Sequence, residues 1–141
     1  MWLSTLDLTT PQGAHIAERL RGDLIVWLAT VRPDGRPHLA AVWFLWDGET
    51  ILIFSQPNQK VRNLRANPHV VLSLDDTGTG DDAVTIEGIA ELLAPGTVTS
   101  ELAPYAEKYA AKLREMGWTP HSMAQSYTEA IRITPARFHI V

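Results

Sequence analysis

The sequence predicts a mainly β protein: an antiparallel barrel of about six strands with helices packed outside it. Three observations carry this. Short apolar runs of strand length recur along the chain. Most of them are joined by tight turns rich in proline, aspartate and glycine, which favour hairpins. Helical patterns stand at the beginning and in two interruptions, instead of alternating with every strand as a parallel sheet requires.

The elements follow in order. Thr9-Thr10-Pro11 offers a cap and an early proline, and Ala14, Ile16, Ala17 and Leu20 follow at helical spacing. Gly22 is positioned to end that helix as a left-handed residue. Leu24 to Val31 is apolar on both alternating faces, as expected of a strand covered by a second layer or another subunit. Arg32-Pro33-Asp34-Gly35-Arg36 is a hairpin turn: proline presets φ and Gly35 supplies the left-handed residue. The returning strand, Pro37 to Trp46, has small residues, Ala40 and Ala41, at its middle, which leaves room for a flat molecule against the backbone. Asp47-Gly48 turns the chain into Thr50 to Ser55.

The next stretch, from Phe54 to Pro68, organises the rest. Pro57 ends the strand, Asn58 is an N-cap candidate, and Asn67-Pro68 stops a basic helix. Lys60 falls in the first helical turn, where free N–H groups favour an anion. Val61 and Leu64 form the core stripe. Lys60 with Asn63, and Arg62 with Arg65, present donors on two further stripes. A phosphate is the expected guest.

His69 to Leu74 is the next strand, and residues 75–82 form an acidic, glycine-rich loop lacking the spacing of a calcium-binding hand. Ala83 to Leu93 follows as a strand with Gly88 at a bulge. Pro95 to Met116 reads as helical, with Leu102, Tyr105, Ala106, Tyr109, Ala110 and Leu113 on one stripe and Pro104 at a start or break. Gly117-Trp118-Thr119-Pro120 ends it. Tyr127 to Thr134 is the last strand and residues 136–141 an extended tail.

Composition narrows the function. With 141 residues the chain has room for one domain, spanning 1–141, and it shows no repeat or internal linker. A net charge of −4 argues against a general nucleic-acid binder, so a local basic helix points to one small anionic ligand. No cysteine is present, which removes disulfides, thiol nucleophiles and zinc-thiolate sites. The histidines (15, 38, 69, 121 and 139) form no HExxH or close pair, and no GxSxG, Walker or Rossmann pattern occurs. No metal site is expected. The first residues lack the pattern of a signal peptide and no run reaches membrane-spanning length, so a cytoplasmic protein is expected. With no acid/base pair in view, the reactive atoms of an enzyme built this way belong to a bound cofactor.

Leu28 to His38, then Val42-Trp43-Phe44, then Lys60 to Pro68, resemble the split β-barrel flavin-binding family typified by pyridoxamine 5′-phosphate oxidase. The chain is most similar to the branch that uses the deazaflavin F420, and Ile131 to Phe138 is similar to that branch's terminal strand. The resemblance implies a homodimer with the cofactor in a groove between subunits. It implies that Lys60 binds the cofactor phosphate, that Ser55, Asn58 and Gln59 lie in the same phosphate turn, and that Ala41, Val42 and Trp43 run along the ring. Where relatives carry an arginine at Asn58 or Gln59, this chain offers Arg62 or Arg65 instead. Arg32 and Arg36 are further candidates, by charge, for the oligoglutamate tail of F420. An arginine near Ala40, a lysine near Leu45 and a longer C-terminal segment mark the vitamin B6 oxidases. All three are missing, so that reaction is not expected.

The reading is an F420-dependent oxidoreductase that passes a hydride from the deazaflavin to a small, apolar, conjugated acceptor. Trp43, Phe44 and Trp118 are candidates for a stacking wall, and Tyr127 and His38 for a proton source. The sequence leaves open FMN in place of F420, and a non-catalytic carrier or sensor of flavin, F420 or haem, for which His121 and His139 are the candidate axial ligands.

Overall fold

The structure, a computed structural model, describes residues 2–140, so Met1 and the last residue of the expected tail, Val141, lie outside the described residues. The elements are β1 (Trp2–Leu3), α1 (Pro11–Gly22), β2 (Val26–Val31), β3 (Pro37–Val42), β4 (Leu45–Trp46), β5 (Ile51–Ser55), α2 (Gln59–Ala66), β6 (His69–Leu74), β7 (Val84–Leu92), α3 (Thr97–Ser100), α4 (Leu102–Lys108), α5 (Ala110–Met116), α6 (Pro120–Ser126) and β8 (Glu129–Ile140). All strand pairs are antiparallel, in the order β3-β2-β6-β7-β8-β5-β4, with β1 on β8.

The outer members of that order, β3 and β4, are joined by Trp43 and Phe44 alone. Three extended peptide steps reach only about 10 Å. The sheet must therefore curl until its two edges nearly meet, which makes a half-barrel with a split along one side. The expected six strands become eight. The run from Pro37 to Trp46 is broken at Trp43-Phe44, and a short N-terminal strand is added. The last strand and the tail are one element, because residues 137–140 continue the pairing with β7 and β1.

Inside the curl, Val26, Leu28, Leu72, Ile86, Ile131 and Ile133 pack around Ile16 and Leu20 of α1. Thr10 caps α1 by accepting from the Gly13 N–H, and Pro11 stands in its first turn. Gly22 is not left-handed: Asp23 ends the helix in extended geometry and accepts from Arg19 Nε at 2.9 Å. Strand β5 is buried on both faces, with Ile51 and Ile53 toward the barrel and Leu52 and Phe54 toward α3–α6.

The stripe predicted for Pro95 to Met116 holds as a face, since Tyr105, Ala106, Tyr109 and Leu113 are all buried. It is carried by two short helices, α4 and α5, and the link between them, and α3 forms a separate turn before them. Thr119-Pro120, read as a terminator, starts α6: Thr119 and Ser122 form a capping box with proline in the first turn. Gly88 does lie at a bulge, although the extra residue is on β8, where Glu87 pairs with Arg137 and Gly88 with Pro135. The acidic loop is pinned to α1, with Asp82 accepting from Arg19 Nη1 at 2.8 Å and lying 2.8 Å from His15 Nε2.

Strand β2 is covered on one face only. Trp27 is 45% and Leu39 61% exposed, and Val71 and Ile89 are exposed as well. Ala29 pairs with both Leu39 and Val71, so these residues form one apolar patch across neighbouring strands.

Candidate functional site

A cavity of about 380 Å³ opens where β3 and β5 diverge. Ile25, Ala41, Val42 and Trp43 form one side, and Phe54, Tyr105, Leu113, Met116, Trp118, Met123 and Tyr127 form the rest of its apolar lining. Gln56, Asn58 and Lys60 form the polar end. The volume falls in the usual range for small-molecule sites, which are mostly apolar with a few placed polar groups.

The polar end comes from the strand-turn-helix unit of β5 and α2. Val61 and Leu64 anchor α2 in the core. Asn63 faces inward rather than offering a donor to solvent: its Nδ2 donates to Thr30 Oγ1 at 2.9 Å and its Oδ1 accepts from Gln59 Nε2 at 2.7 Å. Asn58 stands at the N-cap position without capping the helix through its side chain; its Oδ1 accepts from Lys60 Nζ at 3.2 Å instead.

Lys60 is only 8% exposed. Burial lowers its pKa from the usual lysine value, and no acidic side chain among the described residues pairs with it. An ammonium is almost never buried unless paired. Lys60 thus stands at the end of a ligand-sized cavity without an anionic partner among the described residues.

Five of the eight predicted site residues meet here: Ala41, Val42, Trp43, Asn58 and Lys60 line the cavity. Ser55, Gln59 and Arg62 do not. The Ser55 hydroxyl donates to the Gln56 carbonyl at 2.7 Å, and Arg62 Nη2 donates to Gln59 Oε1 at 2.9 Å on an exposed face. Arg65 is exposed too, and Arg36 is turned onto Asp34. Trp118 and Tyr127 line the cavity with ring centroids 6.0 Å apart, whereas Phe44 is buried beside it under Lys108, whose Nζ is 3.8 Å from its ring centroid.

His38 does not line the cavity. Burial, and then the charges of Arg32 and Lys60, hold its imidazole below the usual histidine pKa, and its buried Nδ1 has no partner among the described residues. His121 is exposed on α6 and His139 packs on Trp2 with centroids 5.0 Å apart, both away from the cavity lining. No group of three or more histidine or acidic side chains able to hold a metal occurs among the described residues.

The residues missed from sequence are Ile25, Phe54, Gln56, Tyr105, Leu113, Met116 and Met123. A signal for α6 existed in Thr119-Pro120, which repeats the start of α1. Nothing local placed that helix over β5.

An antiparallel sheet curled and split along one side, with a buried lysine at one end of an apolar slot, defines a split-barrel protein. The chain belongs to the family described as pyridoxamine 5′-phosphate oxidase, which matches residues 13–141. Among solved structures, an F420 reductase is 30% identical, with a TM-score of 0.71 over 86% of this chain and 94% of that one. A conserved hypothetical protein from Mycobacterium tuberculosis is also 30% identical, with a TM-score of 0.72 over 90% of this chain and 82% of that one. A heme storage protein from Vibrio cholerae shares the fold at 20% identity, with a TM-score of 0.64 over 90% and 92% of the two chains.

Proposed function

We propose that this protein is an F420-dependent reductase whose cofactor lies along Ala41, Val42 and Trp43 with its phosphate at Lys60. The observation that carries the reading is the buried, acid-free Lys60 at the polar end of an otherwise apolar cavity. The 30% identical F420 reductase supports the choice of deazaflavin. FMN on the same site is the second reading, because its phosphate would meet the same lysine.

The residues present suit such a ligand. Lys60 and Asn58 would hold the phosphate, with the Gln56 amide beside them, and Ala41 offers a wall without bulk against a planar ring. The cofactor supplies hydride transfer to an electron-poor conjugated acceptor. The chain contributes position and dryness: Trp118, Met116, Met123 and Leu113 would face the acceptor with apolar surface, and Tyr127, a phenol of the same lining, would be the proton source. Hydride transfer depends on holding donor and acceptor close more than on a strong acid, so such a lining is sufficient.

We propose further that the active form is a homodimer whose contact covers the exposed sheet face of Trp27, Leu39, Val71 and Ile89. Ala41, which pairs with Trp27, stands at its edge, so a second copy there would also wall the cofactor groove.

The test is titration of the purified protein with F420 and with FMN, followed by the fluorescence of each. Tight F420 binding with weak FMN binding is the expected result. Preference for FMN would move the activity to a flavin enzyme on the same site, and binding of neither would overturn the reading.

A further inference from the structure

We infer that Tyr105 and Tyr109 are a pair of positioning residues that hold the cavity open by keeping Trp43 and Phe54 from closing the sheet. Strand β4 pairs with β5 in the register Leu45 with Leu52 and Trp46 with Ile51. Two further steps of that register would set Phe44 opposite Ile53 and Trp43 opposite Phe54. Opposed antiparallel residues lie about 4.5–5.5 Å apart at Cα and leave no slot between them. The pairing stops instead at Leu45, and Trp43 and Phe54 line the cavity.

The two tyrosines brace the backbone on either side of the gap where the ladders stop. They are four residues apart, in the middle of α4 and in the link to α5, which puts both on one face. The Tyr105 ring stacks on Phe54 with centroids 4.1 Å apart at 18°, and its hydroxyl accepts from the Phe54 N–H at 3.4 Å. The Tyr109 ring stacks on Trp43 with centroids 4.3 Å apart at 1°, and its hydroxyl accepts from the Phe44 N–H at 2.8 Å. The Tyr109 proton is directed to the carbonyl of Leu24, at 2.7 Å, or of Phe44, at 2.9 Å. Each tyrosine therefore covers an aromatic wall with its ring and satisfies a backbone N–H where a ladder stops: Tyr105 takes the Phe54 N–H that a longer β4–β5 register would bond, and Tyr109 bridges the Phe44 N–H and the Leu24 carbonyl, the next rung of the β2–β3 register. Both are buried, so water cannot substitute. Burial also raises both phenol pKa values, keeping the hydroxyls protonated.

The part of this inference that concerns a ligand rests on the proposed cofactor site; the part that concerns the split does not. The test uses Tyr109→Phe and Tyr105→Phe, which retain the rings and lose the hydroxyls, studied well below their melting temperatures. The first readout needs no ligand: native-state exchange of the Phe44 and Phe54 amides, and the indole N–H resonance of Trp43, assigned by its loss in Trp43→Phe. Tyr109→Phe is expected to speed exchange at Phe44 about fivefold to tenfold, the effect of one net hydrogen bond, and to move the Trp43 resonance. Tyr105→Phe is expected to act on Phe54 and leave Phe44 alone. The second readout compares FMN with riboflavin, or F420 with its ring portion lacking the phosphate. A wall loosened by loss of its hydroxyl anchor weakens both members of a pair by the same factor, about fivefold or more, whereas Lys60→Met weakens only the phosphorylated one.

Unchanged amide exchange and an unchanged Trp43 resonance would overturn the inference. So would altered exchange with undiminished ring affinity. If the wild type binds neither cofactor, the proposed function falls, and the exchange experiment still decides whether the tyrosines hold the split.

Discussion

Lys60 Nζ donates to Asn58 Oδ1 across 3.2 Å, a neutral oxygen two residues back in the chain. That contact orients the ammonium without neutralising it. Replacing Lys60 by Met should therefore lower FMN or F420 affinity by about 1–3 kcal/mol, the cost of a lost charge-assisted hydrogen bond. The ligand-free protein should melt no lower than the wild type, because burial already disfavours the charge. Isothermal titration and thermal melting check the two halves separately, and undiminished affinity would remove the phosphate assignment.

Leu39 is 61% exposed on the outermost strand of an apolar sheet face. Leu39→Lys places a charge where the partner subunit is expected to sit, and desolvating it there costs several kcal/mol. Sedimentation equilibrium should show a dimer for the wild type and a shift to monomer for the variant. A wild-type monomer at all concentrations would refute the dimer.

Lys108 carries a pH dependence whose sign is fixed by its surroundings. Burial lowers its pKa to about 8, against a partial opposing effect of Asp23, while the ammonium donates to the Phe44 carbonyl at 2.8 Å. Below pH 8 the group is charged in both the folded and the unfolded chain, so the burial penalty is fully present. Between about 8 and the usual lysine value near 10.5, the unfolded chain binds more protons than the folded one. Stability from this residue should rise with pH across that window. The melting temperature of wild type minus that of Lys108→Met should increase from pH 7 to pH 10; a flat difference would contradict the shift.

Gly88 tests the bulge. A Cβ there would lie 2.8 Å from the Thr134 carbonyl oxygen and 2.9 Å from Ile133 Cγ2, a backbone atom and a core side chain that cannot easily move. Gly88→Ala should cost about 1–3 kcal/mol in urea unfolding, the range for overpacking. A loss below about 0.5 kcal/mol would mean that β8 shifts to accept it.

Much of the site was legible from local chemistry. Pro57 and Asn58 broke the strand, Val61 and Leu64 chose the buried face of α2, and Lys60 was thereby left beside the turn at the cavity's polar end. Hairpin turns at Gly35 and Gly48, both at positive φ, were legible for the same reason: a left-handed residue is a local requirement. Whatever depends on neighbours in sequence, such as turn type, helix face or strand alternation, the sequence by itself determined.

Tertiary structure decided the rest. Asn63 read as a donor beside Lys60 on the same stripe, but β2 brings Thr30 within 2.9 Å of it and takes that donor. Trp43 and Phe44 read as part of one continuous strand, because alternation cannot reveal that the sheet must split there for its edges to meet. Ser55, Gln59 and Arg62 have the composition of a phosphate turn, yet their side chains bond within the turn and helix. The walls of the cavity come from elements far apart in the chain, Trp43 beside Tyr109 and Phe54 beside Tyr105. Curling the sheet creates that proximity, and curling is a property of all the strands together.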